Sequence, residues 1–159
     1  MVFTVLLMMG CFRRREVGGG SLESGVGSRD TLELIKLFKM GNFKELLAYK
    51  KSYELAMDIF LLSKRYPAEE RYSLTDQIRR SSRAVCTNLA EAYRRRRYKD
   101  YFISKLNDCE TENSETEVWL DFSIDCKYIS KEEYQSLLAK NQEVGKLIWY
   151  MIKNPDKFL

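Results

Sequence analysis

SLTDQIRRSSRAVCTNLAEAYRRR, residues 73–96, contains no glycine and no proline that would interrupt a helix. Its apolar side chains recur at intervals of seven, four and three residues, and they are Ile78, Val85, Leu89 and Ala92. Side chains at these intervals lie on one face of an α-helix. The stretch therefore predicts one long amphipathic helix, whose apolar face must be covered by other helices.

Three further stretches show the same periodicity, so that the periodic parts of the chain are residues 43–66, 73–96, 99–126 and 130–154. Pro67 ends the first of them, because the residue before a proline avoids the α region. Ser130 and Glu133 form a capping-box pattern at the start of the fourth. Four long helices with short connections predict an all-α fold, an antiparallel up-down-up-down four-helix bundle.

The first and third helices are apolar on two sides. For the first helix, the predicted core face is Leu46, Leu47, Tyr53, Met57, Phe60 and Leu61. The residues predicted to face outward on the two helices are Leu55, Ile59, Leu62, Tyr66, Val118, Trp119 and Phe122. A helix that is apolar on two sides is usually buried on two sides, so we expect a homo-oligomer in which a second subunit covers this face. Scattered surface hydrophobic residues are the alternative.

The composition limits the chemistry of the chain. Its 159 residues, 45% of them hydrophobic, are enough for one domain with a core. The absence of histidine excludes histidine-based acid–base catalysis and histidine metal ligands. The four cysteines form no CxxC pair, which is typical of reduced thiols in a cytoplasmic protein. We therefore expect a cytoplasmic protein with no cofactor, no metal and no enzymatic activity.

Residues 1–39 differ in character from the rest of the chain. The apolar run MVFTVLLMMG is too short to span a bilayer, and the segment GGGSLESGVGS is typical of a flexible linker. Met40 lies directly before the first periodic stretch. We predict one domain at 40–159 and interpret residues 1–39 as upstream sequence read in frame or as a disordered tail. A targeting segment is the remaining alternative.

The charges of the second and third helices are segregated. Residues 71–101 contain nine basic and three acidic residues, a balance of +6, whereas residues 106–126 contain seven acidic residues and no basic one. Because consecutive helices of a bundle pack side by side, mutual neutralisation is the simplest interpretation of this pattern.

Helical geometry gives the arginines of the second helix a further role. At about 100° per residue, measured from the core face, Arg80, Arg83 and Arg94 lie at about 200°, 140° and 160°. This face is opposite the core, where acidic side chains of the third helix do not easily reach, and a row of guanidiniums suits phosphate. Arg96 falls on the core side and is expected to be a helix-end residue. The predicted nucleic-acid-binding residues are Arg80, Arg83, Arg94, Arg95 and Arg97.

Four polar residues border the apolar stripes of the second and third helices, and they are Asn88, Glu91, Asn113 and Glu117. Polar groups at the edge of a core need partners. We expect an interhelical network, Glu–Arg or Asn–Glu, that fixes the register of the helices. A ligand site or a catalytic carboxylate pair is the functional alternative, which the lack of histidine and of a glycine-rich phosphate loop disfavours.

The run YPAEERYSLTDQIRRSSRAVCTNLAEAYRRRRYKDYFISKL, residues 66–106, resembles the signature of a bacterial four-helix bundle family encoded in intervening sequences of large-subunit ribosomal RNA genes, also described as ribosomal-protein-like. The matching residues are Pro67, Glu69, Glu70, Arg71, Leu74, Thr75, Gln77, Arg79, Arg80, Asn88, Ala90 and Glu91. The resemblance extends from about Phe43 to Asn154 and covers none of residues 1–39. Many members of the family have glycine where this chain has Ala92, and alanine allows the helix to continue.

The resemblance implies a bundle that assembles into a ring-like homopentamer. A related protein, the accessory variability protein of diversity-generating retroelements, binds nucleic acid through a basic surface and docks a reverse transcriptase. From the residues and the resemblance together we predict a non-enzymatic oligomer that binds RNA or DNA through phosphates, with no membrane association. The alternative is a protein–protein adaptor that recruits a partner enzyme such as a reverse transcriptase through its acidic helix and its second apolar face.

Overall fold

A computed structural model describes residues 41–159, and the interpretation of residues 1–39 concerns a part of the chain outside them. The four α-helices are α1 (Leu47–Leu62), α2 (Leu74–Arg95), α3 (Lys99–Asp125) and α4 (Lys131–Lys153). Short 3-10 turns lie at Phe43–Glu45, Ser63–Arg65, Ala68–Tyr72 and Pro155–Lys157. Residues 41–159 contain no strand, and no helix among them is long and apolar enough to cross a membrane. The prediction of an all-helical fold with four helices is confirmed.

Local signals fix the boundary between α3 and α4. The Ser130 hydroxyl oxygen accepts the Glu133 N–H at 3.2 Å, and the Glu133 carboxylate accepts the Ser130 N–H at 2.9 Å, so the predicted capping box is formed. Just before it, Lys127 has a φ of 61°, the left-handed conformation that commonly ends a helix. The N–H of Tyr128 then bonds the Ser123 carbonyl at 2.9 Å, which closes the end of α3.

The core lies between the helices, with α1 and α3 each packed against both α2 and α4. The predicted stripe of α2 is buried throughout, and its members are Ile78, Val85, Leu89 and Ala92. On α3 the buried apolar residues are Phe102, Leu106, Cys109 and Leu120. A buried hydrogen bond of 2.9 Å from the Thr116 hydroxyl to the Ser81 hydroxyl oxygen links α3 to α2. The predicted apolar face of α2 is therefore a face that forms the core.

The predicted orientation of α1 is wrong, and the structure turns this helix by about half a revolution. Leu55 and Ile59, assigned to an outward face, are 3% and 0% exposed, and Tyr66 beyond the helix is 8% exposed. Tyr66 donates its hydroxyl proton to the Ser123 hydroxyl oxygen at 2.8 Å, deep in the same chain. Tyr53 and Leu61, assigned to the core, are more than half exposed. Leu55, Ile59 and Tyr66 are therefore core residues of their own chain.

Small side chains explain why α1 is turned in this way. Ala48, Ser52 and Ala56 share the buried face of the helix with Leu55 and Ile59. Small residues let the α1 backbone lie close to its neighbours, whereas large rings on that face would hold it away. The Ser52 hydroxyl donates to the Tyr49 carbonyl at 3.0 Å, so its burial leaves no unpaired donor.

Two helices of the described residues carry exposed apolar side chains outside the core. The exposed apolar residues of α1 are Leu47, Tyr53, Met57 and Leu61, while Leu62 is partly buried against the core. On α3, Val118 and Phe122 are about half exposed, and the partly buried Trp119 ring lies 5.7 Å from the Phe122 ring. Each face is therefore accessible to another subunit or a partner, and scattered surface hydrophobic residues stay the alternative.

Glu70 ties the start of α2 to the turn between α3 and α4. Its carboxylate accepts hydrogen bonds from the Ser73 hydroxyl and from the Leu74 N–H, the latter at 3.2 Å. Its second oxygen accepts the Tyr128 hydroxyl proton at 3.1 Å. The hydrogen bond from Ser73 has the largest effect on the pKa of Glu70. Together with the other two, it lowers that pKa from its ordinary value of 4.5.

Replacing Glu70 with glutamine is expected to lower the melting temperature at pH 7, because the amide has one neutral acceptor oxygen in place of the two charged oxygens that accept these three donors. The folded carboxyl has a lowered pKa, so its contribution is complete above 4.5 and disappears as the pH falls through the folded value. The gap in melting temperature between E70Q and the wild type should therefore close on acidification. Calorimetry from pH 7 to pH 3 measures it, and a gap that stays constant with pH would contradict the assigned role.

Candidate nucleic-acid interface

The outward face of α2 carries arginines that no carboxylate of residues 41–159 neutralises directly. Arg80, Arg83 and Arg94 are exposed, as their angular positions predicted, and Arg95 is exposed as well. Among the described residues, no arginine of α2 has a carboxylate oxygen within the 4.0 Å of an ion pair. The ion pair that joins α2 to α3 has the opposite polarity, with Lys105 on α3 lying 3.1 Å from Glu91 on α2. The acidic residues of α3 therefore form no ion pair with these arginines.

Glu112 shows how far the acidic helix reaches toward this face. Burial of its carboxyl and the nearby Glu115 raise the pKa of Glu112, and Arg80 opposes them by favouring the charged form. Arg80 and Glu112 therefore interact electrostatically without forming an ion pair. The N–H donors of the Arg80 guanidinium remain available to another acceptor.

Aromatic rings hold the arginines in place. The guanidiniums of Arg79 and Arg83 lie 5.1 and 5.5 Å from the centre of the Phe60 ring on α1. Such cation–π contacts orient a guanidinium over a ring face and leave its hydrogen-bond donors free. Phe60 was predicted as a core residue, and its role as the support of two arginines was not foreseen. The half-buried position of Phe60 between α1 and α2 fits that role.

A groove of about 630 Å³ runs along the first half of α2. We call it the arginine groove, and its walls are Arg71, Tyr72, Thr75, Asp76, Arg79, Arg80, Arg83, Ala84 and Thr87. Four arginines and one aspartate give it a formal charge of +3. Arg80 and Arg83 were predicted for binding, whereas Arg71 and Arg79 entered the prediction only in the charge balance and as matches to the family signature. Their position in the groove depends on the 3-10 turn Ala68–Tyr72 and on Phe60, which the periodicity of α2 does not show.

A second groove of about 330 Å³ adjoins the first. We call it the lysine groove, and its walls are Ser63, Lys64, Tyr66, Pro67, Ala68, Arg71, Thr75 and Arg79. Arg71, Thr75 and Arg79 belong to both grooves. The lysine groove has three cationic walls and no acidic one. The two grooves thus lie on a common wall, and we call the pair the cationic depression at the start of α2.

The arginines at the end of α2 form a separate cluster. Arg94 lies 5.8 Å from the centre of the Phe43 ring, and Arg95 lies 5.9 Å from that of Tyr101. Arg96 donates to the Tyr93 carbonyl at 2.8 Å, so it is the helix-end residue that was predicted. Arg97 lines a small cavity of about 80 Å³ together with Arg94, Arg96 and Leu159. Fourteen residues separate Arg80 from Arg94, which is about 20 Å along a helix at 1.5 Å per residue. The predicted binding residues therefore fall into two clusters on one face.

The predicted polar network is present in α3 but has a different partner. Asn113 on α3 and Asn141 on α4 each donate from their side-chain nitrogen to the backbone carbonyl of the other, at 3.2 and 3.1 Å. Asn141 also donates to the Glu117 carboxylate at 3.2 Å. Gly145 makes room for this contact, because a Cβ there would lie 3.1 Å from the Asn113 amide nitrogen. The network joins α3 to α4 and involves neither arginine nor Asn88.

Asn88 and Glu91, the two α2 residues of the predicted network, take no part in the network that Asn113, Asn141 and Glu117 form. Glu91 pairs with Lys105 on α3, which also pairs with Asp108 at 3.0 Å. Asn88 is half-buried, and its side chain makes no hydrogen bond to any described residue. Asn141 was not among the predicted network residues, and its complete burial identifies it as a structural amide.

The chemistry available elsewhere in the described residues is limited. No group of cysteine, aspartate and glutamate side chains within residues 41–159 is arranged to hold a metal ion. Burial raises the pKa of the Cys109 thiol to about 12 and also raises that of Cys86. Both sulfurs therefore stay protonated at neutral pH, and a thiol in that state is a poor nucleophile.

Comparison with known proteins identifies the family. Residues 44–150 match the family described as 23S rRNA-intervening sequence protein. A crystal structure of a protein of unknown function from the S23 ribosomal protein family of Bacteroides thetaiotaomicron is 34% identical in sequence, with a TM-score of 0.62. That similarity covers 67% of this chain and 96% of the other. No match was found among the curated proteins. The family predicted from the motif is confirmed, and the chain belongs to the 23S rRNA-intervening sequence proteins.

Proposed function

We propose that this protein is a non-enzymatic, cytoplasmic oligomer that binds nucleic acid, principally RNA, through phosphate contacts on the outward face of α2. The observation that carries the proposal is the set of five α2 arginines that no described carboxylate pairs with, four of which lie near aromatic rings. Guanidiniums bind phosphate through forked hydrogen bonds, and oriented guanidiniums lose little freedom in doing so. The family name is compatible with a ribonucleic-acid ligand.

The proposal includes an antiparallel arrangement of neighbouring helices. Between α2 and α3, Ser81 bonds Thr116 and the later Glu91 pairs with the earlier Lys105. Between α1 and α4, Asp58 pairs with Lys140 and the earlier Lys51 pairs with the later Glu143. In each case the contacts advance along one helix while they go back along the other, which supports the up-down-up-down order.

The proposal also includes assembly into a ring-like homopentamer. The two uncovered apolar faces lie on α1 and α3, which share α2 and α4 as neighbours and so occupy diagonal corners of the bundle. Two different faces on opposite sides favour a head-to-tail contact, and such contacts form a ring when the rotation between subunits closes on itself. A ring would repeat the cationic face of α2 around its circumference and raise the local phosphate attraction.

Reversing the charge of Arg80 and Arg83 in the arginine groove tests the function. The double variant R80E/R83E is expected to bind a labelled single-stranded RNA about 10- to 100-fold more weakly than the wild type at ~50 mM salt, because it loses two phosphate contacts and adds repulsion. For the wild type, the logarithm of the association constant should fall linearly with the logarithm of the salt concentration. Fluorescence anisotropy measures both effects.

The matched control is K131E/K146E, two exposed lysines of α4 that lie in neither groove. Both double variants lower the net charge of the chain from +4 to 0. The control should retain most of the affinity, since its lysines lie outside the proposed surface. Equal losses in the two variants would reject the α2 surface and leave only a general effect of net charge.

The adaptor function is the second candidate, and one observation favours it. Val118 and Phe122 are exposed on α3 among the acidic residues Asp121 and Asp125, which are also exposed. An apolar patch with a charged rim is typical of a protein-binding surface. The adaptor predicts protein capture that is insensitive to salt and a purified protein that binds no RNA. The anisotropy experiment therefore distinguishes the two candidates.

A further inference from the structure

Thr75 has a buried hydroxyl with an unused hydrogen bond. The residue is only 7% exposed, and its Oγ1 has no hydrogen-bond partner among the described residues. Buried hydroxyls nearly always have a partner, so an unpaired one indicates a ligand or a solvent molecule that completes it. Thr75 lies in the wall that the arginine groove and the lysine groove share.

Two cationic side chains share that wall with Thr75, and one of them is held rigidly. Arg79 donates from its Nε to the Ser63 hydroxyl oxygen at 2.7 Å, while its guanidinium lies over the Phe60 ring. The donors of its two terminal nitrogens remain unpaired within the described residues. Arg71 also lines both grooves and makes no ion pair within the described chain. A hydroxyl and two guanidiniums whose donors are unpaired within the described residues can donate hydrogen bonds to the oxygens of one phosphate group.

An exposed aromatic ring stands at the edge of the same depression. Tyr72 is 86% exposed and lines the arginine groove, three residues before Thr75. Packing within the chain does not account for a ring so exposed, whereas stacking on a base would. Base stacking on aromatic side chains is a general means of holding single strands, and bases inside a duplex are not accessible to it.

We propose that the depression at the start of α2 is a binding site for single-stranded nucleic acid, in which one backbone phosphate contacts Thr75, Arg71 and Arg79 and an adjacent unpaired base stacks on Tyr72. The site rests on the proposed nucleic-acid-binding function and narrows its ligand to strands with unpaired bases. Arg80 and Arg83 extend the phosphate track along the groove toward the end of α2.

Two variants test the site by anisotropy with a 12-nucleotide oligouridylate RNA and with a 12-base-pair RNA duplex. Thr75→Val removes the hydroxyl and keeps the shape, and it should weaken single-strand binding about 5- to 10-fold. Its melting temperature should equal or exceed that of the wild type, because the hydroxyl has no partner in the chain to lose. Tyr72→Ala should weaken single-strand binding about 10-fold and change duplex binding less than about 2-fold.

The controls are Thr111→Val on α3 and Trp149→Ala on α4, both exposed residues outside the two grooves, and neither should change binding. Wild-type affinity in both T75V and Y72A, with R80E/R83E still impaired, would overturn this site and leave the proposed function standing. An equal effect of Y72A on single strand and duplex would overturn the single-strand assignment. A wild-type protein that binds neither RNA at ~50 mM salt would overturn both proposals.

Discussion

Replacing Asn141 with aspartate is expected to destabilise the chain by about 3–5 kcal/mol at pH 7, the range for a buried charge without a compensating partner. Asn141 is completely buried, and its amide nitrogen donates to the Asn113 carbonyl and to the Glu117 carboxylate. Aspartate offers no donor when ionised, so both acceptors would lose their partner. It would also place a second negative charge next to Glu117 in a low-dielectric interior.

Urea denaturation followed by circular dichroism measures this change. Asn141→Leu provides the uncharged comparison and should cost less than the aspartate variant, because it removes the same hydrogen bonds without burying a charge. Gln142→Glu provides the surface comparison, since residue 142 is exposed and the same amide-to-acid change there should stay within about 0.5 kcal/mol. An N141D midpoint equal to that of Q142E would show that the network is open to water and that the amide does not link α3 to α4.

Local signals in the sequence were sufficient to predict the helices. The capping box at Ser130 and the proline at position 67 act within a few residues of the chain, so their effect does not depend on what packs nearby. Helix α2 was also oriented correctly, because it has one apolar face and an arginine-rich opposite face. Because only one face of α2 is apolar, only one orientation of this helix buries its apolar side chains.

Helix α1 shows where such patterns stop being informative. Both of its sides are apolar, so hydrophobic periodicity cannot distinguish the face in the core from the face outside it. The small residues Ala48, Ser52 and Ala56 decide the orientation, because they permit close packing where Tyr53 would not. Attention to side-chain volume as well as hydrophobicity would have placed Ile59 in the core.

The candidate site was predictable only in part, for a related reason. The helical wheel placed Arg80 and Arg83 on the outward face, since that depends on α2 alone. The position of the Arg79 guanidinium in the groove wall depends on Phe60 and Ser63, which lie in α1 and in the turn after it. The pairing of Asn113 with Asn141 likewise depends on the register between α3 and α4. Contacts between elements follow from packing, which a single helical pattern does not specify.

Replacing Leu61 on α1 or Phe122 on α3 with lysine is expected to convert the proposed ring into monomers. Both residues are about half exposed in the single chain, at 55% and 50%, and they lie on diagonal helices. In a head-to-tail ring every contact joins the α1 face of one subunit to the α3 face of the next. A lysine on either face therefore places a charge in every contact of the ring, and burial of an unpaired charge is strongly unfavourable.

Light scattering after size exclusion at micromolar concentration measures the mass, with Gln135→Lys on the exposed side of α4 as the control that should keep the wild-type assembly. Mixing the two monomeric variants is the more specific test. L61K retains an intact α3 face and F122K retains an intact α1 face, so one molecule of each should form a heterodimer that cannot grow further. A two-fold contact between identical faces would give a different result, because only one of the variants would dissociate and mixing would restore nothing. A wild-type mass equal to the 18.8 kDa of one chain would reject the ring itself.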